Sequence, residues 1–180
     1  MLIDDLLKYF KDYLQIDSSD TTEDTFLQNI LLSAESFIYE YYGIAILERD
    51  LTEFFTFNGK FIYTKRGYIK ELVEIKENGD TVTDLTVYYS DRNKIVPPTY
   101  LAYGTKISVD YKVGYDNIDD ISYGLRAGLF IFGKKIYTDA TKNADNYTQI
   151  SSNIKENVKF VEELPLIADN LLSPMKIFRL

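Results

Sequence analysis

The sequence predicts an α+β protein. Two N-terminal helices, one long helix after the last strand and a short C-terminal helix form a helical core, with an antiparallel β-sheet or small β-sandwich inserted between them. Three observations carry this expectation. Apolar residues recur at helical spacing from Ile3 to Tyr42. From Ile46 to Tyr115 the pattern changes to runs rich in Thr, Phe, Tyr, Val and Ile, separated by Asn58-Gly59, Arg66-Gly67, Asn78-Gly79 and Pro97-Pro98, which is strand chemistry punctuated by turns. Beyond Tyr115 the helical period returns. The expected organisation is a helical core over residues 1–45 and 117–180, including a C-terminal arm, and an inserted β-rich domain over 46–116.

Ile3, Leu6, Leu7, Phe10 and Leu14 fall on one face of a first helix. A polar stretch from Asp17 to Thr22 ends it, and Asp20 with Glu23 is spaced as a capping box, in which the Asp20 side chain accepts the Glu23 amide. The second helix carries Phe26, Leu27, Ile30, Leu31, Ala34, Phe37, Ile38, Tyr41 and Tyr42 and stops at Gly43, the residue best suited to a left-handed cap.

About six short strands are expected in the insertion, with a hairpin across Asn58-Gly59 and with Tyr68–Ile75 and Leu85–Tyr89 as central strands. The last strand is the most regular: Ile107, Val109, Tyr111, Val113 and Tyr115 alternate with Lys106, Ser108, Asp110 and Lys112, the period-2 pattern of a half-buried strand.

A third helix is expected to start near Asp119–Ser122, with Ile121, Leu125, Leu129, Phe132 and Ile136 on one face. Phe130 and Ile131 make its other side apolar too, so more than one side needs cover. Each helical glycine costs about 1 kcal/mol relative to alanine, so Gly124 and Gly128, one turn apart, call for a close backbone contact. The second face either belongs to the monomer's own core or forms a subunit interface through Gly124, Gly128, Phe130 and Ile131, joined by Tyr41 and Tyr42 at the end of helix two. The two readings are compatible. Thr138–Lys159 is a polar arm, and Leu164–Leu172 opens with Pro165 as a short helix that Ser173-Pro174 ends. The terminal residues Met175, Lys176, Ile177, Phe178, Arg179 and Leu180 are apolar and basic. They either fold back on their own core or dock elsewhere, with the arm giving reach.

Composition narrows the chemistry. The chain has 180 residues, enough for a sizeable core, and its 46% apolar and 27% charged fractions are those of a globular protein. A net charge of −8 argues against a surface that grips phosphates. With no Cys there is no disulfide or thiolate, and with no His the usual serine triad and zinc hydrolase are excluded. The charged N-terminus reads as neither a signal nor a transit peptide, and the longest apolar run is too short to span a bilayer. Asp116, Asp119 and Asp120 do not make an EF-hand, because Ile118 and Ile121 occupy positions that need a ligand and a glycine. No glycine loop precedes Lys-Ser/Thr, and 28 carboxylates single out no catalytic pair. No enzyme activity, metal or cofactor is expected. The 16 Tyr read either as substitutes for other large core residues or as partner-facing groups.

The order of these elements, with Tyr42-Gly43 closing helix two, Gly114-Tyr115 after the last strand, and Leu164-Pro165, Leu171-Leu172 and Pro174 near the end, resembles the head-tail connector proteins of long-tailed double-stranded DNA bacteriophages. That family usually has a proline ahead of the third helix, where this chain has Ile118-Asp119-Asp120-Ile121, and the polar arm here is longer. The resemblance implies a non-enzymatic virion protein, assembled in the host cytoplasm into a homo-oligomeric ring, a dodecamer in the family. Such a ring docks on the portal protein and offers a platform to a neck, stopper or tail-completion protein, while DNA passes through its lumen without specific binding and no membrane is involved. By that analogy Met175, Ile177, Phe178, Arg179 and Leu180 dock on the portal. The alternatives are a stopper or tail-completion protein and a Tyr-rich glycan-binding module using Tyr88 and Tyr89.

Overall fold

A computed structural model of the chain describes residues 2–142 and 165–177. The fold is α+β, with helices α1 (Leu2–Leu14), α2 (Asp24–Tyr42), α3 (Tyr123–Lys142) and α4 (Leu166–Leu172) and strands β1 (Arg49–Thr56), β2 (Ile62–Tyr63), β3 (Ile69–Glu77), β4 (Asp80–Thr81), β5 (Tyr89–Asp91), β6 (Lys94–Val96) and β7 (Lys106–Val113). The long helix follows the last strand and a short helix lies near the C-terminus, as the sequence predicts. Two compact units result: Met1–Ile38 with Asn117–Met175, and Tyr39–Asp116 with Lys176–Leu180.

In the helical unit, α1 buries Leu2, Ile3, Leu6, Leu7 and Phe10, the face its periodicity marks. The Phe10 ring meets Phe130 of α3 at 5.7 Å between centroids, and Phe37 of α2 meets Phe132 at 5.0 Å. Gly133 makes room for the first of these contacts, because a Cβ there would fall 2.8 Å from the Phe10 ring. The polar turn between α1 and α2 closes around Lys11. This side chain is 3% exposed, and its ammonium donates to the Asp24 carboxylate at 2.7 Å, to the Ser18 carbonyl at 3.3 Å and to the Asp20 carbonyl. The expected capping box does not form. The Asp20 carboxylate accepts from the Thr22 amide at 3.0 Å in an Asx turn, and α2 starts four residues after Asp20. The third helix starts at Tyr123, preceded by a 3-10 turn over Ile118–Asp120, and runs through the first residues of the expected polar arm to Lys142. The rest of that arm lies outside the described residues.

The β unit contains two antiparallel sheets, ordered β1-β7-β3-β4 and β2-β6-β5, around a shared core of Ile75, Ile95, Ile107, Val109, Tyr111 and Val113. The regular last strand, β7, is central to the larger sheet and buries the predicted face. Beyond it Gly114 sits at φ +99, and a Cβ there would lie 2.6 Å from the Leu47 carbonyl carbon, so the chain can leave β7 past that backbone only at a glycine. Gly43 closes α2 in the left-handed region at φ +75, as expected.

Two strand expectations are corrected. The Asn58-Gly59 turn joins no hairpin, because β1 pairs with β7 while β2 pairs with β6 in the other sheet. The hairpin with the favoured turn is β3–β4, where Glu77 faces Asp80 across Asn78 (φ 52) and Gly79 (φ 98), both in the conformation that a two-residue type I′ turn requires. Leu85–Val87 is a 3-10 turn with Asp84 accepting the Thr86 amide, and the strand that follows, β5, lies at a sheet edge rather than in the centre.

Candidate assembly surface

The register of the smaller sheet fixes what it presents outward. Ile62 pairs with Ile95 and Ile95 with Ser90. Ile62 and Ile95 point into the core, at 3% and 0% exposed, so by the two-residue alternation of a strand the neighbouring row, Tyr63–Lys94–Asp91, faces out. The Val96–Tyr89 row lies on the same side, with Phe61 just ahead of β2. Tyr63 is 40% exposed and Tyr89 66%. The Phe61 and Tyr63 rings meet edge-on at 6.3 Å, and the Lys94 ammonium lies 3.7 Å from the Phe61 ring centroid. That cation–π contact keeps the lysine flat on the aromatic surface. Lys60 and Lys65 are exposed beside β2. The loop from β1 into β2 borders a concavity of about 710 Å³ lined by Phe55, Phe57, Lys60, Phe61 and Tyr63 among others. The result is an aromatic sheet face with a basic rim.

Tyr88 is not on this face. It is 5% exposed and its phenol donates to Glu77 at 2.7 Å. Tyr111 is buried likewise and donates to Glu53 at 2.5 Å. Burial first, and the adjacent carboxylate second, push both phenols well above the ordinary tyrosine range. Of the two tyrosines expected on a glycan surface, only Tyr89 is available.

The expected docking and interface residues are placed unevenly. The Met175 methyl lies over Gly124, where a Cβ would fall 3.0 Å away, and Leu172 fills the space above Gly128, with Cγ 2.8 Å from the Cβ position. The close approach that these glycines call for is thus made by the chain's own C-terminal helix α4 and the 3-10 turn, Ser173–Met175, that follows it. Phe130 is buried and Ile131 half-buried. Tyr42 is fully buried and Tyr41 is 38% exposed, with the Lys176 ammonium 4.0 Å from its ring centroid. Ile177 is 6% exposed: its amide donates to the Tyr42 carbonyl at 2.8 Å, and its side chain lies against Gly43 and Gly67. Phe178, Arg179 and Leu180 lie outside the described residues.

The acidic loop after β7 has a structural partner. Lys70 donates to Asp116 at 2.5 Å and also to Glu48. The lysine, bonded to both, is held charged far above its usual range, and Asp116 is held below its own. Among the described residues no group of three His, Cys, Asp or Glu is placed to hold a metal ion, and no helix is long and apolar enough to cross a membrane.

No protein family matches the sequence, and no characterised protein matches it either. Solved structures do. A chain in the virion of a native gene transfer agent particle superimposes with a TM-score of 0.65 at 12% identity, over 100% of this chain and 94% of that one. One from the neck of an empty gene transfer agent particle with C6 symmetry gives 0.62 at 13% identity, over 97% and 90%. A third, from the neck of a native particle with C12 symmetry, gives 0.60 at 13% identity, over 100% and 93%. These chains share one fold with this protein.

Sequence reasoning missed the aromatic face. Phe61 and Tyr63 flank Ile62 in an alternating pattern, which is a signal for a strand face, but the partner row on β5 and β6 is set by pairing across about thirty residues, beyond the reach of local periodicity.

Proposed function

We propose that this chain is a non-enzymatic structural subunit of a phage-like virion neck: a head-tail connector that forms a homo-oligomeric ring, docks on the portal protein and carries the next neck or tail component. The observation that carries the reading is the shared fold over 97% or more of the chain with proteins located in necks of C6 and C12 symmetry. The net charge of −8 suits a lumen through which DNA slides, because a negative wall does not exchange counterions with the phosphate backbone. The portal contact is assigned to the terminal residues Phe178, Arg179 and Leu180, since Met175 and Ile177 are engaged with their own chain. Of the expected subunit interface, Tyr41 is exposed and Ile131 half-buried.

Affinity purification of the tagged protein from an induced lysate, followed by mass spectrometry, tests the reading. Portal and neck proteins recovered in fixed ratio are expected, and a chain lacking residues 178–180 is expected to lose the portal while keeping its fold, because Ile177 stays in place. Recovery of the full chain alone, or with cell-envelope glycans, would overturn it.

A further inference from the structure

The ring reading leaves open which surfaces join one subunit to the next, and the outer face of the β2-β6-β5 sheet is the best-formed candidate. Resting on that reading, we propose that this face seats the outward side of helix α1 of a second copy of the chain.

The argument is complementarity of two unlike patches. The sheet face presents Phe61, Tyr63 and Tyr89 around Lys94, with Lys60 and Lys65 at its rim and Asp91 the one carboxylate in the row. Helix α1 buries its apolar side and turns Asp5, Tyr9 and Asp12 outward at spacings of four and three residues, with Lys8 exposed on the same side, so two acids and an aromatic ring share a stripe that carries one lysine and keeps a net negative charge. Tyr9 is 45% exposed. Tyrosine rings bury large area at low entropic cost, and opposite charges around them set register and orientation. Because the two patches differ, the contact is head-to-tail. A heterologous contact of this kind is what closes a cyclic ring when the rotation matches. A basic aromatic surface also resembles a platform for stacking single-stranded bases, but the chain's charge of −8 opposes a polyanion and favours a seat for an acidic protein surface.

The test measures self-association of the purified full chain by sedimentation velocity at rising concentration and at two salt levels. Wild type is expected to associate less at high salt. The sheet variant Lys60→Glu/Lys65→Glu and the helix variant Asp5→Lys/Asp12→Lys are each expected to raise the midpoint concentration at least tenfold. An equimolar mixture of the two is expected to restore association, since each then meets a complementary partner; restoration also shows that both variants fold. Tyr63→Ala/Tyr89→Ala, a change of exposed side chains only, is expected to weaken association to a similar degree. Variants that associate as wild type does would sink this interface while leaving the ring reading standing, and a wild-type chain that never associates would remove both. Saturable binding of a labelled oligothymidine or of a polysaccharide, lost in Tyr63→Ala/Tyr89→Ala, would assign the face to that ligand and overturn the proposal.

Discussion

Replacing Lys11 by Met tests how the turn between α1 and α2 is held. Methionine keeps the length and the apolar contacts of the lysine stem, so the change isolates the ammonium, which serves Asp24, Ser18 and Asp20 at a site 3% exposed. A hydrogen bond involving a charged group contributes about 1.5–3 kcal/mol, and removing one partner of a fully buried ion pair costs about 3–5 kcal/mol. The upper figure does not apply. The Asp24 side chain is 31% exposed, so water takes over part of what its carboxylate loses, and methionine avoids the desolvation of the ammonium itself. The expected loss is about 2 kcal/mol, or roughly 4–8 °C in Tm for a chain of this size. Lys11→Ala also strips the buried methylenes and is expected to cost about 2 kcal/mol more. Urea unfolding followed by far-UV circular dichroism, with the slope unchanged, measures both. A Lys11→Met chain within about 0.5 kcal/mol of wild type, the ordinary range for a surface substitution, would refute the view that this lysine pins the turn.

Two further outcomes follow from named contacts. Gly128→Ala gains up to about 1 kcal/mol of helix propensity but places a Cβ against the buried Leu172 Cγ at 2.8 Å, and overpacking of this kind costs about 1–3 kcal/mol. A net loss of about 1 kcal/mol is expected in a thermal melt, and stabilisation would show that α4 can shift aside. Tyr88 and Tyr111 have folded-state pKa values raised above the unfolded value of 10.0. Their contribution is therefore fully present below pH 10 and lost as pH rises beyond it, because the unfolded chain releases phenolic protons that the folded chain retains. Tyrosinate absorbance from these two residues is expected to rise only together with loss of far-UV signal, and their Phe variants to lack that late step. A titration curve that Tyr88→Phe/Tyr111→Phe leaves unchanged would contradict this.

The helices and the central strand could be read from the chain alone because each is a short-range pattern. The apolar stripe of α1, the period of α2 ending at Gly43, and the alternation of β7 arise from side-chain spacings within one element. The hairpin assigned to Asn58-Gly59 failed for the complementary reason: a glycine turn permits a chain reversal, but its flanking strands here found better partners in β7 and β6. The Asp20 cap failed because Lys11, buried nearby, bonds the turn backbone and holds it in another conformation.

By itself the sequence determined the α+β class, the helix faces, the absence of thiol and imidazole chemistry, and the need for close approach at Gly124 and Gly128. Tertiary structure decided what meets those glycines, namely Met175 and Leu172 of the same chain, and that Ile177 lies against Gly43 and Gly67. It also decided that Phe61, Tyr63, Lys94 and Tyr89 form one face. The physical reason is common to all three. Periodicity says which side of an element is apolar, but the partner that covers it is chosen by packing and strand register between residues far apart in the chain.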